Sequence, residues 1–494
     1  MKNNLKKLLN NDRWTHWGYC KNFPRLSISL ATVALFVLTS TARPSHANDH
    51  HDHGYNFRIV AKLGDPAPGG GTHEGDFEPQ AINENGDVSF ASDLSQEGEG
   101  LFLSRHGVNT EIIRTGLPAP GTSTTFGPGG ILGESGINNS GDMAFAFMLD
   151  YPSPFPLPRG KIAGVWRYDA SHSAVTKLLG QGGPAPGGTT FQGTSSSPDI
   201  NNSGVVATTG LINTDKGNCR VSECLSPPHT LGLGRGIYAA DRRNRISKII
   251  APGDPAPGTG STIDDAVEPN INDSGDMVFS AHVVGETCGY DSGPSPTAMG
   301  CFTSLYLYRS STGQISSIAH QGNPAPGGGN FRFVVMGQIN NRRDMAYIGD
   351  LATGPNYNIQ IPGVFFTDRR GVSRAVARPG DRLPGGVMVQ TTTAEGNLGL
   401  NNSGVVAFVA QLDADVNSDT YQDTGVYVDH GGIITTVVRT GTVIPGLGTV
   451  AHTNNSYVVG FDLSPGVHIN DQGDVFTQVI LENGDTYAVV ASPQ

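Results

Sequence analysis

Short runs of alternating apolar and polar residues recur along the chain, each bounded by Gly, Pro, Asn or Asp. Such runs predict β-strands joined by tight turns. Many of them, such as residues 247–251, end at a connector with the pattern Gly-x-Pro-Ala-Pro-Gly. Five clear and two degenerate copies of this connector start at Gly64, Gly116, Gly182, Gly253, Gly322, Gly380 and Gly441. The pattern therefore predicts one strand unit repeated seven times.

A second motif, Asn-x-x-Gly-x-x-x-Phe or a close variant, follows each connector. It begins at Asn83, Asn138, Asn201, Asn272, Asn340, Asn401 and Asn470. The Asn is expected to cap its own backbone, and the Gly supplies the positive φ of a tight turn. A third segment of aromatic or β-branched residues completes each unit, for example Gly-Val-Phe at 363–365. Each unit thus predicts four strands: a before the Asn motif, b ending in its aromatic, c at the third segment, and d before the next connector.

Four-stranded antiparallel units repeated in this way predict an all-β protein, a single seven-bladed β-propeller over residues 55–494. The first strand, at 57–62, is a strand d, whereas the last repeat stops at its strand c, at 487–491. Pairing the two would close the ring and leave no exposed edge. A linear solenoid is the alternative, but it would need capping units that the sequence does not show. The Pro residues of the connectors are expected to stiffen an extended crossing from one blade to the next.

The motif copies at Asn138–Phe145 and Asn401–Phe408 resemble those of secreted bacterial tandem-repeat proteins with an Asn-x-x-Gly motif that ends in Ala-Phe. The resemblance covers almost the whole mature chain and implies an exported, propeller-like protein of uncharacterised function. It supplies no catalytic residues. The chain lacks the C-terminal sorting signal of such proteins, has Arg343 at one turn position where Gly is expected, and has Thr208 at one aromatic position. Blades five and three are therefore expected to be locally irregular.

The first 47 residues are predicted to be a secretory signal peptide. A basic stretch precedes an apolar run at 26–42, and Ser45-His46-Ala47 offers small residues at −3 and −1. Residues 48–54 then form a His- and Asp-rich tail, for which a flexible polar segment is favoured over a metal site. An uncleaved anchor is the alternative to cleavage. The expected location is the periplasm or the extracellular space.

Charge and composition narrow the classes of partner. Gly 67 and Pro 32 argue against a helical bundle. Removal of the leader leaves 25 basic and 43 acidic residues, a net charge of −18. This charge disfavours nucleic acid and anionic lipid as partners, and it permits cation binding.

Four cysteines remain in the mature chain: Cys219, Cys224, Cys288 and Cys301. Export and an even count predict two disulfides. Because each pair falls within one predicted loop, we expect Cys219 to pair with Cys224 and Cys288 with Cys301. A zinc site is the alternative, although the usual Cys-x2-Cys spacing is missing.

The clearest chemical pattern lies in the loop after strand b of the sixth unit. Oxygen-bearing side chains alternate there as in the first positions of an EF-hand loop, at Asp413, Asp415, Asn417, Asp419 and, further on, Asp423. Carboxylate and amide oxygens suit Ca²⁺. The match is partial, because Ser418 replaces the turn Gly and Thr424 stands at the position of the final Glu. Calcium is the predicted ligand, and a solvated acidic loop is the alternative.

Other candidate groups depend on the fold for their meaning. Glu78, Glu134, Glu268 and Glu395 lie in or before strands a, the innermost strands, so some of them are expected at the channel mouth. Four side chains near variable loops are candidate acids or bases, although each is better explained as a packing or surface residue: His229, His282, His320 and Tyr357. Contiguous catalytic motifs are missing, but propeller active sites draw single residues from several blades.

The loops between strands b and c vary in length, whereas the Asn turns are uniform. The face that carries these variable loops is therefore the predicted binding face. The first hypothesis is an exported, non-enzymatic propeller that binds a protein, a glycan or an envelope component there. The aromatics expected to line such a patch are Tyr151, Phe155, Tyr290 and Tyr357. The alternatives are a calcium-dependent hydrolase or lyase at the channel mouth and a purely structural envelope protein.

Overall fold

The computed structural model describes residues 54–96, 98–150, 163–194, 197–214, 233–286, 302–352, 362–391, 398–414, 423–453 and 466–494. Within these ranges the chain forms strands and turns and no helix. The strands form seven antiparallel sheets that follow one another along the chain, which confirms the predicted seven-bladed propeller. The innermost strand of each blade is strand a, and strands b, c and d follow outwards.

The first three blades contain β2 to β16. Blade 1 consists of β2 (His73–Ile82), β3 (Val88–Leu94), β4 (Glu99–Arg105) and β5 (Val108–Arg114). Blade 2 consists of β6 (Phe126–Ile131), β7 (Gly136–Ile137), β8 (Met143–Leu149), β9 (Ala163–Asp169) and β10 (Ala174–Leu179). Blade 3 consists of β11 (Pro184–Ala185), β12 (Thr189–Gly193), β13 (Asp199–Ile200), β14 (Val206–Asn213), β15 (Leu233–Ala240) and β16 (Ile246–Ile250).

The next three blades contain β17 to β31. Blade 4 consists of β17 (Pro255–Ala256), β18 (Ser261–Ile271), β19 (Met277–Val283), β20 (Ser304–Arg309) and β21 (Gln314–His320). Blade 5 consists of β22 (Asn330–Ile339), β23 (Met345–Ala352), β24 (Pro362–Thr367) and β25 (Ser373–Ala377). Blade 6 consists of β26 (Arg382–Leu383), β27 (Gly386–Gln390), β28 (Leu398–Leu400), β29 (Val406–Leu412), β30 (Thr424–Asp429) and β31 (Ile434–Arg439).

Blade 7 joins the two ends of the propeller. It consists of β32 (Val443–Ile444), β33 (Gly448–His452), β34 (His468–Ile469), β35 (Val475–Leu481), β36 (Thr486–Pro493) and, as its outermost strand, β1 (Tyr55–Lys62). β1 runs antiparallel to β36, and the register places Tyr55 opposite Pro493 and Lys62 opposite Tyr487. The N-terminal strand therefore completes the last blade, as the sequence predicts.

The hydrophobic core is divided among the interfaces between neighbouring blades. The described residues form seven buried clusters; six draw on two adjacent blades, and one extends over blades 4, 5 and 6. The cluster between blades 7 and 1 contains Val60, Phe90 and Phe476, so this junction is packed like the others. The predicted strand b aromatics, such as Phe145, are fully buried here and lie within stacking distance of strand c aromatics such as Trp166.

The connectors differ from the expected extended crossings. Each one folds back, so that its central residues pair with the start of the next strand a, as Pro66 does with Thr72. The backbone N–H of Ala67 donates to the carbonyl oxygen of Gly71 at 2.9 Å, which closes a compact turn. The connector alanines are buried, and the ring N–H of Trp166 donates to the carbonyl of Pro120 at 3.1 Å. The connector is thus a small hairpin anchored in the blade.

The Asn turns join the blades into a ring of hydrogen bonds. The side-chain amide of the first Asn in each motif donates to the carbonyl oxygen of the equivalent Asn in the next blade, at 3.0 to 3.3 Å. The same side chain accepts backbone N–H groups of its own turn through Oδ1, as Asn83 does from Asn85 and Asp87. The series runs through all seven blades and returns to the first. The motif therefore serves the assembly of blades as well as the local turn.

A second ring runs beside the first. The backbone N–H of the residue after each motif Asn donates to a side-chain oxygen of the equivalent residue in the following blade, at 2.6 to 3.0 Å. Its seven members are Glu84, Asn139, Asn202, Asp273, Asn341, Asn402 and Asp471. We call the end of the propeller that carries these turns the Asn-turn face. Two closed rings of hydrogen bonds thus link all seven blades at this face.

Candidate functional site

The opposite end of the propeller, which we call the loop-rich face, carries the connectors and the segments between strands b and c. At this end of blade 1, Glu78 lies on β2, Asp93 on β3 and Glu99 on β4. Asp93 is directly opposite Glu99, and Glu78 is opposite Ala91, two residues before Asp93. Because alternate residues of a strand point to the same side of a sheet, the three carboxyl groups share one side of blade 1.

The acidic side of blade 1 faces blade 2. One carboxylate oxygen of Glu99, Oε2, accepts the backbone N–H of Ile131 in blade 2 at 3.2 Å. The space for this carboxyl exists because residue 130 is a glycine, since a Cβ there would collide with Oε2 of Glu99. Glu78 and Glu99 are both half-buried. The two blades together therefore enclose a pair of carboxyl groups.

Burial changes the protonation of this pair. Desolvation, together with the charges of Asp93 and Asp76, raises the pKa of Glu78 to about 7. Desolvation and the nearby charge of Glu78 raise the pKa of Glu99 well above its usual range. At neutral pH the site therefore holds carboxylic acid protons beside carboxylates. Such a pair can donate and accept hydrogen bonds to a polar ligand, and its pKa values suit general acid–base chemistry.

Residues of blades 7, 1 and 2 meet at the backbone carbonyl of Pro79, the residue after Glu78. Nε2 of His468, from blade 7, lies 3.2 Å from the carbonyl oxygen of Pro79 in blade 1 and 3.4 Å from Oε1 of Glu134 in blade 2. Burial lowers the pKa of His468 to about 4, so its imidazole is neutral at physiological pH. The arrangement places a neutral imidazole between the backbone carbonyl of Pro79 and the carboxyl group of Glu134.

Blades 3 to 5 carry buried charges that are paired. Arg235 of blade 3 binds Asp265 of blade 4 through two side-chain hydrogen bonds. Within blade 4, Nδ1 of His282 lies 2.6 Å from Oδ1 of Asp264, and both side chains are buried. Arg332 and Asp350 form a similar buried pair in blade 5. Each of these buried groups thus has a side-chain partner that can carry the opposite charge. The carboxyl pair of blade 1, by contrast, is surrounded by other acidic groups.

Asp199 on β13 adds a further perturbed carboxyl group. Its Oδ2 accepts hydrogen bonds at 2.9 Å from the side chain of Asn270 and from the backbone of Ile271, both in blade 4. Burial is the larger influence and raises the pKa of Asp199 to about 6. Asp199 lies two residues before Asn201, at the Asn-turn end of blade 3, so it is separate from the carboxyl pair of blade 1.

The structure describes some of the predicted acid or base candidates, and the others lie outside the described residues. Glu78 and Glu134 lie in or next to the innermost strands, as expected, while Glu268 adopts a positive φ of 54° and lies 3.4 Å from the hydroxyl of Ser280. His320 is bound to Gln321 and Asn323 within its own turn, so it has a structural role. Glu395, His229 and Tyr357 lie outside the described residues. So do three other aromatics proposed for a binding patch, Tyr151, Phe155 and Tyr290.

Only the two ends of the proposed calcium loop are described. Oδ1 of Asp413 accepts the backbone N–H of Val387 at 2.8 Å, and Asp423 is buried at the start of the next strand. Asp415, Asn417 and Asp419 lie outside the described residues, as do Cys219, Cys224, Cys288 and Cys301. In the described ranges, no three His, Cys, Asp or Glu side chains are grouped so as to hold a metal ion. Calcium binding and the two disulfides therefore stay predictions.

The sequence did not single out Asp93, Glu99, Asp264 or His468. Asp93, Glu99 and His468 lie at or next to strand ends, and Asp264 lies within β18. At each position only the register and the neighbouring strands decide whether the side chain meets another charge. Glu99 is an example, because its carboxyl group fits against blade 2 only where Gly130 has no side chain. The signal was present only as an acidic residue at the start of strand c in blade 1.

Solved propeller structures show distant similarity to this fold. One is an oligogalacturonate lyase in complex with manganese, with 11% identity, a TM-score of 0.45, and coverage of 89% of this chain and 97% of that one. An oligogalacturonate lyase from Vibrio parahaemolyticus has 10% identity with the same TM-score and coverage. An α-L-arabinofuranosidase from Fusarium graminearum has 8% identity and a TM-score of 0.33, over 89% of this chain and 96% of that one.

No curated protein matches the sequence of this chain. Among the described residues, no helix has the length and apolar character required to cross a membrane. A protein-family model, described as a family of unknown function, matches residues 30–287 and 295–489. Because these two matches span most of the sequence, the chain belongs to the family of unknown function DUF7453.

Proposed function

We propose that the protein is an exported binding protein of the bacterial envelope or extracellular space, and that its loop-rich face recognises a glycan. The observation that carries this proposal is the contrast between the two faces. The Asn-turn face joins its blades through two closed rings of hydrogen bonds, whereas the loop-rich face holds the irregular segments and the Glu78–Glu99 carboxyl pair of blade 1. Function in propellers and other rigid scaffolds is typically placed on such variable loops.

The chemistry of the lining favours a hydroxyl-rich ligand. A protonated carboxyl group donates a hydrogen bond, and an ionised carboxylate beside it accepts one. A pair such as Glu78 and Asp93 can therefore donate a hydrogen bond to the oxygen of a sugar hydroxyl and accept one from its O–H group. The excess of acidic side chains around Glu78 disfavours the binding of an anionic ligand at the loop-rich face. Neutral glycans and amino sugars are therefore the proposed ligands.

The proposal includes secretion of the protein and the binding of Ca²⁺ by a loop of blade 6. The basic and apolar residues of 1–47 support secretion of the mature chain. Ca²⁺ bound to Asp413, Asp415, Asn417, Asp419 and Asp423 would stiffen the loop after strand b in blade 6. The proposed cysteine pairs Cys219–Cys224 and Cys288–Cys301 would restrain two other loops on the same face.

A glycan microarray tests the binding proposal. The mature protein, residues 48–494, is expected to bind neutral or amino glycans, and Glu78→Ala is expected to weaken this binding at least tenfold. Arg369→Ala, which removes an exposed charge from the Asn-turn face, serves as the matched control and is expected to bind normally. An array with no bound neutral or amino glycan, or equal binding by Glu78→Ala, would overturn the proposal.

A calcium-dependent hydrolase or lyase is the second candidate, and the Glu78–Glu99 pair is the observation that favours it. Two neighbouring carboxyl groups that share raised pKa values can serve as general acid and general base. If so, incubation with a bound glycan releases new chain ends, and Glu78→Gln abolishes the release while the glycan still binds. Binding without release would leave the first candidate.

A further inference from the structure

A groove of about 400 Å³ opens between blades 5 and 6 on the Asn-turn face, away from the carboxyl pair of blade 1 described above. It is lined by Arg342, Phe366, Arg374, Gly404, His430 and Gly431, among others. Its size is within the range of small-molecule sites. Every one of these residues belongs to the described part of the chain.

The equivalent position between blades 2 and 3 is filled by the protein itself. Arg167 projects from strand c of blade 2 and donates from Nη1 to the carbonyl oxygen of Gly204 at 3.0 Å. It also donates to the carbonyl oxygens of Asp241 and Arg242, at 3.4 and 3.1 Å. These acceptors are backbone groups of two turns in blade 3.

The repeat makes each residue of the open groove equivalent to a residue at the filled position between blades 2 and 3. Arg167 follows the buried aromatic of strand c, and Phe366 follows the same aromatic in blade 5, so Phe366 occupies the place of Arg167. The backbone acceptors also correspond. Gly404, His430 and Gly431 in blade 6 are equivalent to Gly204, Asp241 and Arg242 in blade 3. Blade 5 thus presents an aromatic ring where blade 2 supplies the donor for these carbonyls.

Two guanidinium groups line the open groove. Arg342 binds Asp344 through Nε and Nη2, at 3.1 and 3.0 Å, which leaves Nη1 without a partner among the described residues. Arg374 binds the buried Asp429 through Nη2 and lies over the ring of Phe366, 4.9 Å from its centroid. Side-chain exposures of 51% for Arg342 and 31% for Arg374 make both accessible to a ligand.

The surrounding face is basic although the mature chain is acidic. On blades 3 to 6 the Asn-turn face carries nine arginines: Arg242, Arg243, Arg245, Arg309, Arg342, Arg343, Arg369, Arg370 and Arg374. Six aspartates accompany them: Asp241, Asp273, Asp276, Asp344, Asp368 and Asp429. This local excess of positive charge attracts anions to the groove.

We infer that the groove binds an acidic sugar, a monosaccharide that carries a carboxylate or a phosphate. The acid group would pair with Arg342 and Arg374, since guanidinium groups bind such anions with strong charge-assisted hydrogen bonds. The sugar hydroxyls would donate to the backbone carbonyls that correspond to those bound by Arg167. Phe366 and Val405 supply an apolar wall. This site is separate from the proposed site on the loop-rich face, which disfavours anions.

Titration calorimetry on the mature protein tests the inference, with glucuronate and glucose 6-phosphate as ligands and glucose as the neutral control. At least one acidic sugar is expected to bind, and glucose is not. Comparison of the two acidic sugars separates a carboxylate site from a phosphate site. Absence of binding by both acidic sugars, or equal binding of glucose, would overturn the inference.

Two variants locate the binding in the groove. Phe366→Arg restores the side chain that fills the groove between blades 2 and 3, and Arg342→Ala removes a guanidinium while Asp344 keeps its bonds to Asn340 and Arg369. Each is expected to weaken binding at least tenfold. Arg243→Ala, an exposed arginine of the same face outside the groove, is expected to bind normally, as is Glu78→Ala. Wild-type affinity in Phe366→Arg and Arg342→Ala would overturn the assignment to this groove.

Discussion

The side-chain amide of Asn470 donates to the carbonyl oxygen of Asn83 at 3.2 Å, across 387 positions of sequence. The same contact joins every other pair of neighbouring blades, so the junction between the first and last blades is bonded like the rest. It acts together with the pairing of β1 and β36. The ring is therefore closed at its inner edge by the turns and at its outer edge by the N-terminal strand.

Asn470→Ala is expected to destabilise the protein by about 2–4 kcal/mol, because it leaves the buried carbonyl of Asn83 and two turn N–H groups without their partner. Denaturant unfolding of the mature protein measures the loss. Gln472→Ala, an exposed change in the same turn, is the matched control and is expected to be neutral. Equal stability of Asn470→Ala and Gln472→Ala would contradict a role for the ring in closure.

The Asn turns show which features of the fold could be predicted from the sequence and which could not. The capping role of Asn and the need for positive φ followed from the local pattern, and both are confirmed. Arg343 takes the same left-handed conformation as the glycines, with φ of 66°, so the backbone of that turn in blade 5 is regular despite the substitution. The partner of each side-chain amide could not be predicted, because it belongs to another repeat and depends on the curvature of the ring.

Glu78 should make stability depend on pH in a specific direction. Its pKa is raised from 4.5 to about 7, so between these values the unfolded chain releases a proton that the folded chain retains. The free energy of unfolding therefore falls as pH rises through this window. Glu78→Gln removes this contribution, and the variant is expected to gain stability relative to wild type from pH 4 to pH 8.

Urea midpoints of wild type and Glu78→Gln, measured across that range, check this prediction. Only the difference between the two proteins is diagnostic, because Asp199 and His468 also titrate abnormally and are common to both. The difference includes a lower pKa of Glu99 in the variant, since the charge of Glu78 contributes to the raised pKa of Glu99. A difference that does not change with pH would show that Glu78 has an ordinary pKa.

The candidate site was predictable only in part. Glu78 and Glu134 were expected near the channel, since they belong to innermost strands, but their direction depended on the register. That register shifts between Glu74 and Phe77, and between Pro79 and Ala81. The alternating pattern of the sequence cannot locate such bulges. The partners Glu99 and His468 come from other strands and blades, which is why no local motif revealed them.

Calcium binding is expected at one equivalent per mature protein. Titration calorimetry after chelation measures it, and the double variant Asp415→Ala and Asp419→Ala is expected to abolish it, since both positions supply oxygen ligands in the proposed loop. Asp381→Ala, which removes an aspartate from the connector of the same blade, serves as a control. Absence of heat in the wild type would contradict the calcium prediction.

The four cysteines are expected to form disulfides in exported protein, because an oxidising compartment favours them. The expected pairs are Cys219–Cys224 and Cys288–Cys301, since each pair falls within one predicted loop. Thiol titration under denaturing conditions should find no free thiol, and peptide mapping should find the two short-range links. Four thiols that become reactive on chelation of zinc would instead support the alternative metal site.

The central claim, that the loop-rich face binds and the Asn-turn face closes the ring, is tested most directly by hydrogen exchange with and without a glycan selected on the array. Our account predicts added protection at residues 73–79 and 93–101 of blade 1, at the end where Glu78 and Glu99 lie. The Asn turns, such as 83–87 and 138–142, should be unchanged by the glycan. Protection confined to those turns, with none at 73–79 or 93–101, would contradict it.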